Sequence, residues 1–496
     1  MKNKYIFFKK KLSFVCAWRS LLLNRWAKTG VFVIVLSIGF FLRLWKYQYY
    51  PFTGHAEEYL FVWSGLSLIE EGVPISWNDI PVYGENNVYW RGVAPNPGPS
   101  GGGIGVRLIK PWLDEPPLFS LIVGGIAKLY KQPNFTVISP LVIRLPSLFF
   151  SLVTMILTFL VAKKLFGYGL GVISLLIYAT IPTVVFGSRL AVPENLIAML
   201  SLLILWLYLK YFERWKIRYL ILSIFLASIA GLAKPTGYLL VFFLFFLLIW
   251  RKRWQEGIIS LICGSLIFLA SFFAYGHLWD WSLFLKVFLY QSSRPAGWSS
   301  LAYILTNPGF SVEIFLDGMI VLGFLSLWSL AFKKNRSEGE EIVVFSFIFT
   351  LLIAVISGGK HDQLTWYRYP IYPFMAISLA LLIKEIINNP SFFQIAIFVP
   401  LSLANIDLLE NPFWKLNYLV QSKVFRPVLF IFLLPSILLM IFKDERLIKL
   451  TKAMIVVCLL FSFIFNIWVV VNRFNILCNN TSCPLPEKIN LLKIFR

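Results

Sequence analysis

The chain has 496 residues, of which 58% are hydrophobic and only 14% charged. Soluble domains lie nearer to about 45–50% apolar and about 25% charged, so one water-soluble core cannot absorb these side chains. The formal charge of +22 does not describe a nucleic-acid surface, because the basic residues sit in short loops between apolar runs, as they do on the cytoplasmic side of membrane proteins.

Residues 1–28 carry eight Lys and Arg and read as a cytoplasmic basic arm. The apolar run 29–46 follows, with no small-x-small cleavage site after Trp45, so it is expected to stay as an uncleaved signal anchor. A hydrocarbon layer of about 30 Å takes about 20 apolar residues per helical crossing. Segments 29–46, 141–162, 168–187, 194–209, 217–233, 236–250, 256–276, 311–332, 341–357, 370–384, 391–408, 426–442 and 453–472 qualify. The expected class is therefore an all-α integral membrane protein with about 13 spans, within a range of 11–14, since lipid offers no partner to open backbone groups. Continuous rather than alternating apolar runs argue against a barrel. The polytopic domain is placed at 29–472 and an extracytoplasmic tail at 473–496. Lys163-Lys164, Lys210 to Arg218, Arg251 to Arg253, Lys333-Lys334 and Lys443 to Lys452 then face the cytoplasm with the N-terminus.

Two outer segments are long. The first, 47–140, holds the acid pair Glu57-Glu58, a Gly- and Pro-rich stretch and the half-length apolar run Leu118–Tyr130, which suits a helix lying in the membrane interface. The second, 277–310, mixes Trp279, Trp281, Tyr290 and Trp298 with Lys286 and Arg294, and aromatic residues of this kind favour the membrane–water boundary. In the tail, Cys478 and Cys483 flank four residues and are spaced for a local disulfide in an oxidising compartment.

Acids and bases gather at helix mouths on the outer side: Glu57, Glu58, Asp114, Glu115, Arg144, Arg189, Glu194, Lys234 and Arg368. Ionisable groups near hydrocarbon are costly and tend to pair or to mark a functional path. Singly, each has a plain reading, a snorkelling cation or an acid in the first turn of a helix; their co-location is what points to chemistry. Glu57, Asp114 and Glu194 also offer hard oxygen atoms to a divalent cation, with His361 as a nitrogen donor. The metal, if any, is not specified by the residues.

These residues occur in blocks whose order resembles the polytopic glycosyltransferases of the C-type (GT-C) fold, in the branch of the protein O-mannosyltransferases and the lipid A aminoarabinose transferases. The blocks are Glu57-Glu58-Tyr59, Glu115-Pro116-Pro117-Leu118-Phe119, Arg144-Leu145-Pro146-Ser147, Leu165-Phe166-Gly167, Ser188-Arg189-Leu190 with Glu194, Gly231 to Lys234, and Arg368-Tyr369-Pro370 to Pro373. The resemblance implies a polyprenyl-phosphate-linked sugar donor and a protein, lipid or glycan acceptor on the extracytoplasmic face. The acceptor hydroxyl needs a general base, for which Glu57 is the expected residue and Glu58 the second choice; Arg368 and Lys234 are the expected cations for the donor phosphate, with Arg189 and Arg144 as supports that also position acids. Glu194, Asp114 and Glu115 are then supporting acids. Two departures stand out. Glu57 replaces the usual Asp, and Glu115 replaces a lysine thought to meet the donor phosphate, so that either Arg368, Lys234 or Arg189 takes that role or the donor is held differently. A transporter or flippase for a lipid-linked saccharide, or a non-catalytic membrane scaffold, are the competing readings.

Overall fold

The computed structural model describes residues 25–51, 56–78, 80–84, 87–93, 104–136, 138–294, 317–358, 364–405, 418–442 and 444–478. The described parts of the thirteen apolar segments fall mainly on helices. Among the described residues, seven helices are long and apolar enough to cross a membrane, and shorter apolar helices such as Tyr168–Thr180, Ile217–Ala233 and Gly318–Phe332 pack among them. This is a multi-pass helical membrane protein.

Boundaries shift where local chemistry overrides hydropathy. The run 168–187 is two helices, Tyr168–Thr180 and Pro182–Gly187, because Pro182 has no N–H to continue the ladder. Residues 277–292, expected within a loop, are helical: Trp254–Trp279 runs on, and Asp280 caps Trp281–Ser292 by accepting from Leu283 N at 2.9 Å. The last helix extends past 472, as Glu445–Cys478, since nothing in Asn472 to Leu477 breaks it. The expected disulfide involves Cys483, which lies outside the described residues, as do the basic arm up to residue 24 and the tail from 479.

The first long loop holds a short apolar helix, Pro117–Leu129, over the run expected to lie in the interface, and also a small sheet that hydropathy did not reveal. Strands β1 (Ser76–Trp77), β2 (Val88–Val93) and β3 (Ile104–Ile109) pair antiparallel in the order β1-β3-β2. Ile109 lies opposite both Ser76 and Val88, and Leu108 and Ile109 are fully buried. The β-branched and aromatic residues of β2 and β3 suit a pleated surface. The sheet delivers Trp77 and Asn78 on one side, and Trp112 to Glu115 on the other, to a common place.

That place is fixed by a close helix crossing. A Cβ at Gly65 of helix Ala56–Glu70 would overlap the Ser120 carbonyl, and a Cβ at Gly124 of helix Pro117–Leu129 would overlap the backbone of Gly65. Both glycines are needed for backbone-to-backbone contact. The mouths that carry the charged residues then meet at one end of the bundle. These are the starts of Ala56–Glu70, Leu145–Phe166, Pro193–Arg214 and Tyr372–Asn388, and the ends of Ile217–Ala233 and Glu338–Ser357.

Gly124→Leu should therefore lower the melting temperature of the detergent-solubilised protein, by a free energy of about 1–3 kcal/mol or more from overpacking. Gly125→Ala, where a Cβ meets nothing within 4 Å, should leave it unchanged. Equal melting of both variants would mean that the crossing is not tight.

Candidate functional site

The two adjacent glutamates open helix Ala56–Glu70, where an acid favours the positive end of the helix dipole, but they face different surroundings. Glu58 is fully buried and forms a bidentate ion pair with the fully buried Arg144. Arg144 Nε donates to Glu58 Oε1 at 2.9 Å and its NH2 to Oε2 at 2.8 Å. The remaining terminal nitrogen, NH1, donates to the carbonyls of Tyr47 at 2.8 Å and Pro51 at 3.1 Å. Ala191 N donates to Glu58 Oε1 at 2.9 Å. Both groups are thus occupied by the fold. Arg189 is also internal: it donates to the carbonyls of Tyr50 and Leu42, both within 2.8 Å, and lies over the Phe186 ring.

Glu57 instead lines a cavity of about 830 Å³. Its other charged walls are Asp114, Glu115, Lys234 and Arg294, with Asn78 and Tyr367 beside them. The apolar side is aromatic: Phe272 meets Phe284 and Phe288 with ring centroids 4.9 and 5.6 Å apart, and all three line the space. The cavity therefore joins a charged end to a hydrocarbon-like end.

Local structure aims each charge. Lys234 terminates helix Ile217–Ala233 with φ −158° and ψ 138°, the extended conformation forced on a residue before proline, here Pro235. Gly237 lets the following 3₁₀ turn press on the Ala230 carbonyl, where a Cβ would clash. The lysine so turned donates from Nζ to Glu194 Oε1 at 2.6 Å and sits 4.1 Å above the Tyr367 ring. Burial favours loss of its proton, but Glu194, Tyr367, Glu115 and Glu57 outweigh burial and hold it charged, with its pKa raised. Glu194, in the first turn of helix Pro193–Arg214, keeps its second oxygen buried without a hydrogen bond.

Asp114 is a fixed hub. Its oxygens accept from Asn78 Nδ2 and from the Tyr83 hydroxyl. Asn78 in turn accepts from Ile80 N at 2.7 Å, and its carbonyl accepts from Arg107 at 2.8 Å. Burial and the nearby Asp114 push the Tyr83 phenol well above its ordinary range, so it remains a donor. Glu115, the next residue, lines the cavity with its Oε2 buried and without a hydrogen bond. Burial lifts its carboxyl to about 7; Lys234 and Arg294 oppose that rise, while Glu194 and Asp114 add to it.

Of the residues expected in the site, the structure thus brings Glu57, Asp114, Glu115 and Lys234 to the cavity and places Glu194 directly behind Lys234. Glu58, Arg144 and Arg189 are not among its lining residues. Arg368 is also absent from that lining and is 2% exposed; its Nε donates to Thr365 O at 3.2 Å, one residue from the cavity wall at Tyr367. Arg294 was not foreseen; the only signal was its place in an aromatic-rich outer segment. His277 stacks on Trp281 with centroids 4.4 Å apart, and His55 and His361 lie outside the described residues. Two of the three acids offered to a divalent cation are already engaged. Asp114 is occupied by Asn78 and Tyr83, Glu194 by Lys234, and no metal-holding group of three or more His, Cys, Asp or Glu occurs among the described residues.

Residues 114–276 match the family model described as dolichyl-phosphate-mannose-protein mannosyltransferase. An uncharacterized protein of Aquifex aeolicus (strain VF5) is 27% identical over 338 residues, 66% of this chain; the match spans less than two thirds, 63%, of that relative. Among solved structures, ArnT from Cupriavidus metallidurans bound to undecaprenyl phosphate superposes with a TM-score of 0.54 at 14% identity, covering 91% of this chain and 78% of that one. The arabinosyltransferase EmbB from Mycobacterium smegmatis gives 0.53 at 15% identity, covering 96% of this chain and 45% of that one. These likenesses report the fold.

Removing one partner of a fully buried ion pair leaves an uncompensated charge, worth about 3–5 kcal/mol. Glu58→Leu and Arg144→Met should each destabilise the protein by that order, read as a lower melting temperature. The double variant should lose less than the sum of the two. Additive losses would show that the two side chains do not depend on each other.

Proposed function

We propose, from the premise that this chain is a membrane protein of the GT-C glycosyltransferase fold, that it transfers a sugar from a polyprenyl-phosphate carrier to an acceptor hydroxyl on the extracytoplasmic face. The observation that carries this reading is the cavity that Glu57, Lys234 and Arg294 line together beside an aromatic wall. An isoprenoid chain needs an apolar groove, and its phosphate needs cations at the membrane surface. The described charges sit at helix ends rather than at mid-span, which favours an enzyme over a transporter. The N-terminus is then cytoplasmic, in keeping with the basic arm and short basic loops.

In this reading the Glu57 carboxylate takes the proton of the acceptor hydroxyl as that oxygen attacks the anomeric carbon. The bond between the anomeric carbon and the phosphate oxygen breaks, its electron pair leaves with the polyprenyl phosphate, and the configuration inverts. Lys234 and Arg294 receive the negative charge of the leaving phosphate, which needs little help from an acid. One carboxylate suffices, unlike the paired acids of glycoside hydrolases. Glu58 acts indirectly, by holding the start of the helix that carries Glu57. Arg144 and Arg189 lock the backbone around that start, and Arg368 supports Tyr367 from behind. The sugar can be a hexose or a pentose, and the acceptor a protein, lipid or glycan.

Transfer from undecaprenyl-phosphate-linked sugars by the purified full chain in lipid nanodiscs, followed by mass spectrometry, tests the reading. Glu57→Gln should slow transfer by about 100-fold or more, the usual contribution of a general base, with carrier affinity unchanged. Lys234→Met should chiefly raise KM for the donor. Transfer at the normal rate by correctly folded Glu57→Gln would remove Glu57 from the chemistry.

A further inference from the structure

The cavity holds more acid than its proposed task requires. Glu57, Asp114 and Glu115 line it against Lys234 and Arg294, and Glu194 already occupies Lys234. An anionic phosphate brought into this space meets carboxylates as well as cations. Asp114 is held by Asn78 and Tyr83 and has no freedom to respond. Glu115 differs: its buried Oε2 has no hydrogen-bond donor, although it belongs to the cavity wall. A buried oxygen without a donor favours the neutral acid, and a neutral carboxyl offers an O–H donor where a carboxylate only accepts.

Resting on the transferase reading, we propose that Glu115 meets the phosphate of the lipid carrier as a neutral carboxylic acid. It donates a hydrogen bond to that anion, so that binding of the carrier takes up a proton. The groups facing Glu115 are Lys234 and Arg294, which favour its carboxylate, and Glu194 and Asp114, which favour its acid form; Glu57 shares the cavity. Burial is the largest influence and brings the carboxyl to about 7. An added phosphate is one more negative neighbour and raises it further. The sign follows: affinity is complete while Glu115 is protonated in the free protein, below about 7, and falls as pH rises above that, by up to about tenfold per pH unit for one linked proton.

Binding of undecaprenyl phosphate to the purified full chain, measured between pH 6.5 and 8.5, tests this. The probe's own second ionisation, near 6 for a phosphate monoester, affects every variant alike. The wild-type Kd should rise by about tenfold or more over this range. Glu115→Gln, whose amide always donates, should stay tight and nearly flat. Should that variant fail to fold, calorimetry of the wild type at pH 7.5 in two buffers of different ionisation enthalpy reads the proton directly; an uptake approaching one per carrier supports the proposal. A pH-independent wild-type Kd, an equal slope in Glu115→Gln, or no proton uptake overturns it while leaving the transferase reading intact. No binding of the carrier at any pH would overturn both.

Discussion

The arrangement of the site depends on the buried pair of Glu58 and Arg144. A charge removed from water destabilises the fold by several kcal/mol unless nearly all its donors and acceptors are satisfied. Here the demand is met by groups from four separate parts of the chain. The carbonyls of Tyr47 and Pro51 follow the first span, Glu58 opens the helix at 56–70, Arg144 precedes the helix at 145–166, and the Ala191 amide comes just before Pro193. None of the four can move without stranding a charge or a backbone group. The pair therefore fixes the mouths of the bundle as a unit. Glu194, three residues beyond Ala191, and through it Lys234, inherit their positions from the same node.

A second constraint is the balance of charge around Lys234. Its ammonium is buried, yet it holds its proton because acids surround it. Glu194 takes the direct contact at 2.6 Å and the Tyr367 ring covers another side. The lysine thus depends on the acids around it to stay charged in a poorly hydrated place. Glu115 is one of these acids, with a buried oxygen that meets no donor.

Much of the membrane fold was legible in the sequence, because lipid demands long apolar helices and tolerates few alternatives. Pro116-Pro117, Pro193 and the acids in first helical turns also marked where helices begin. What escaped were features set by distant partners. The three-stranded sheet pairs Ser76 and Val88 with Ile109, a register no local pattern states. Asn78 and Tyr83 carry no mark of their service to Asp114. Arg144, Arg189, Arg368 and Lys234 are alike as cations at helix mouths in one dimension, and all four are buried; their partners in three dimensions divide them. Arg189 binds carbonyls of the first span's end, and only Lys234 of the four reaches the cavity wall. An arginine with five fixed donors can satisfy several carbonyls at once, and it is this capacity, more than charge, that draws arginine into the fold here.

The same distinction explains why two consecutive glutamates are not duplicates. With 3.6 residues per turn, neighbours on a helix point about 100° apart. Once Glu58 is pinned to Arg144, the side chain before it must leave the helix in another direction. The Gly65–Gly124 contact fixes the helix from its other end against Pro117–Leu129, so rotation about its own axis is blocked as well. The direction left to Glu57 is the one that opens on Lys234 and Arg294. An acid at 57 alone would sit on a helix whose mouth no ion pair pins, and an acid at 58 alone would be sealed in the fold. The doublet joins an anchoring carboxylate to one that the anchored helix aims.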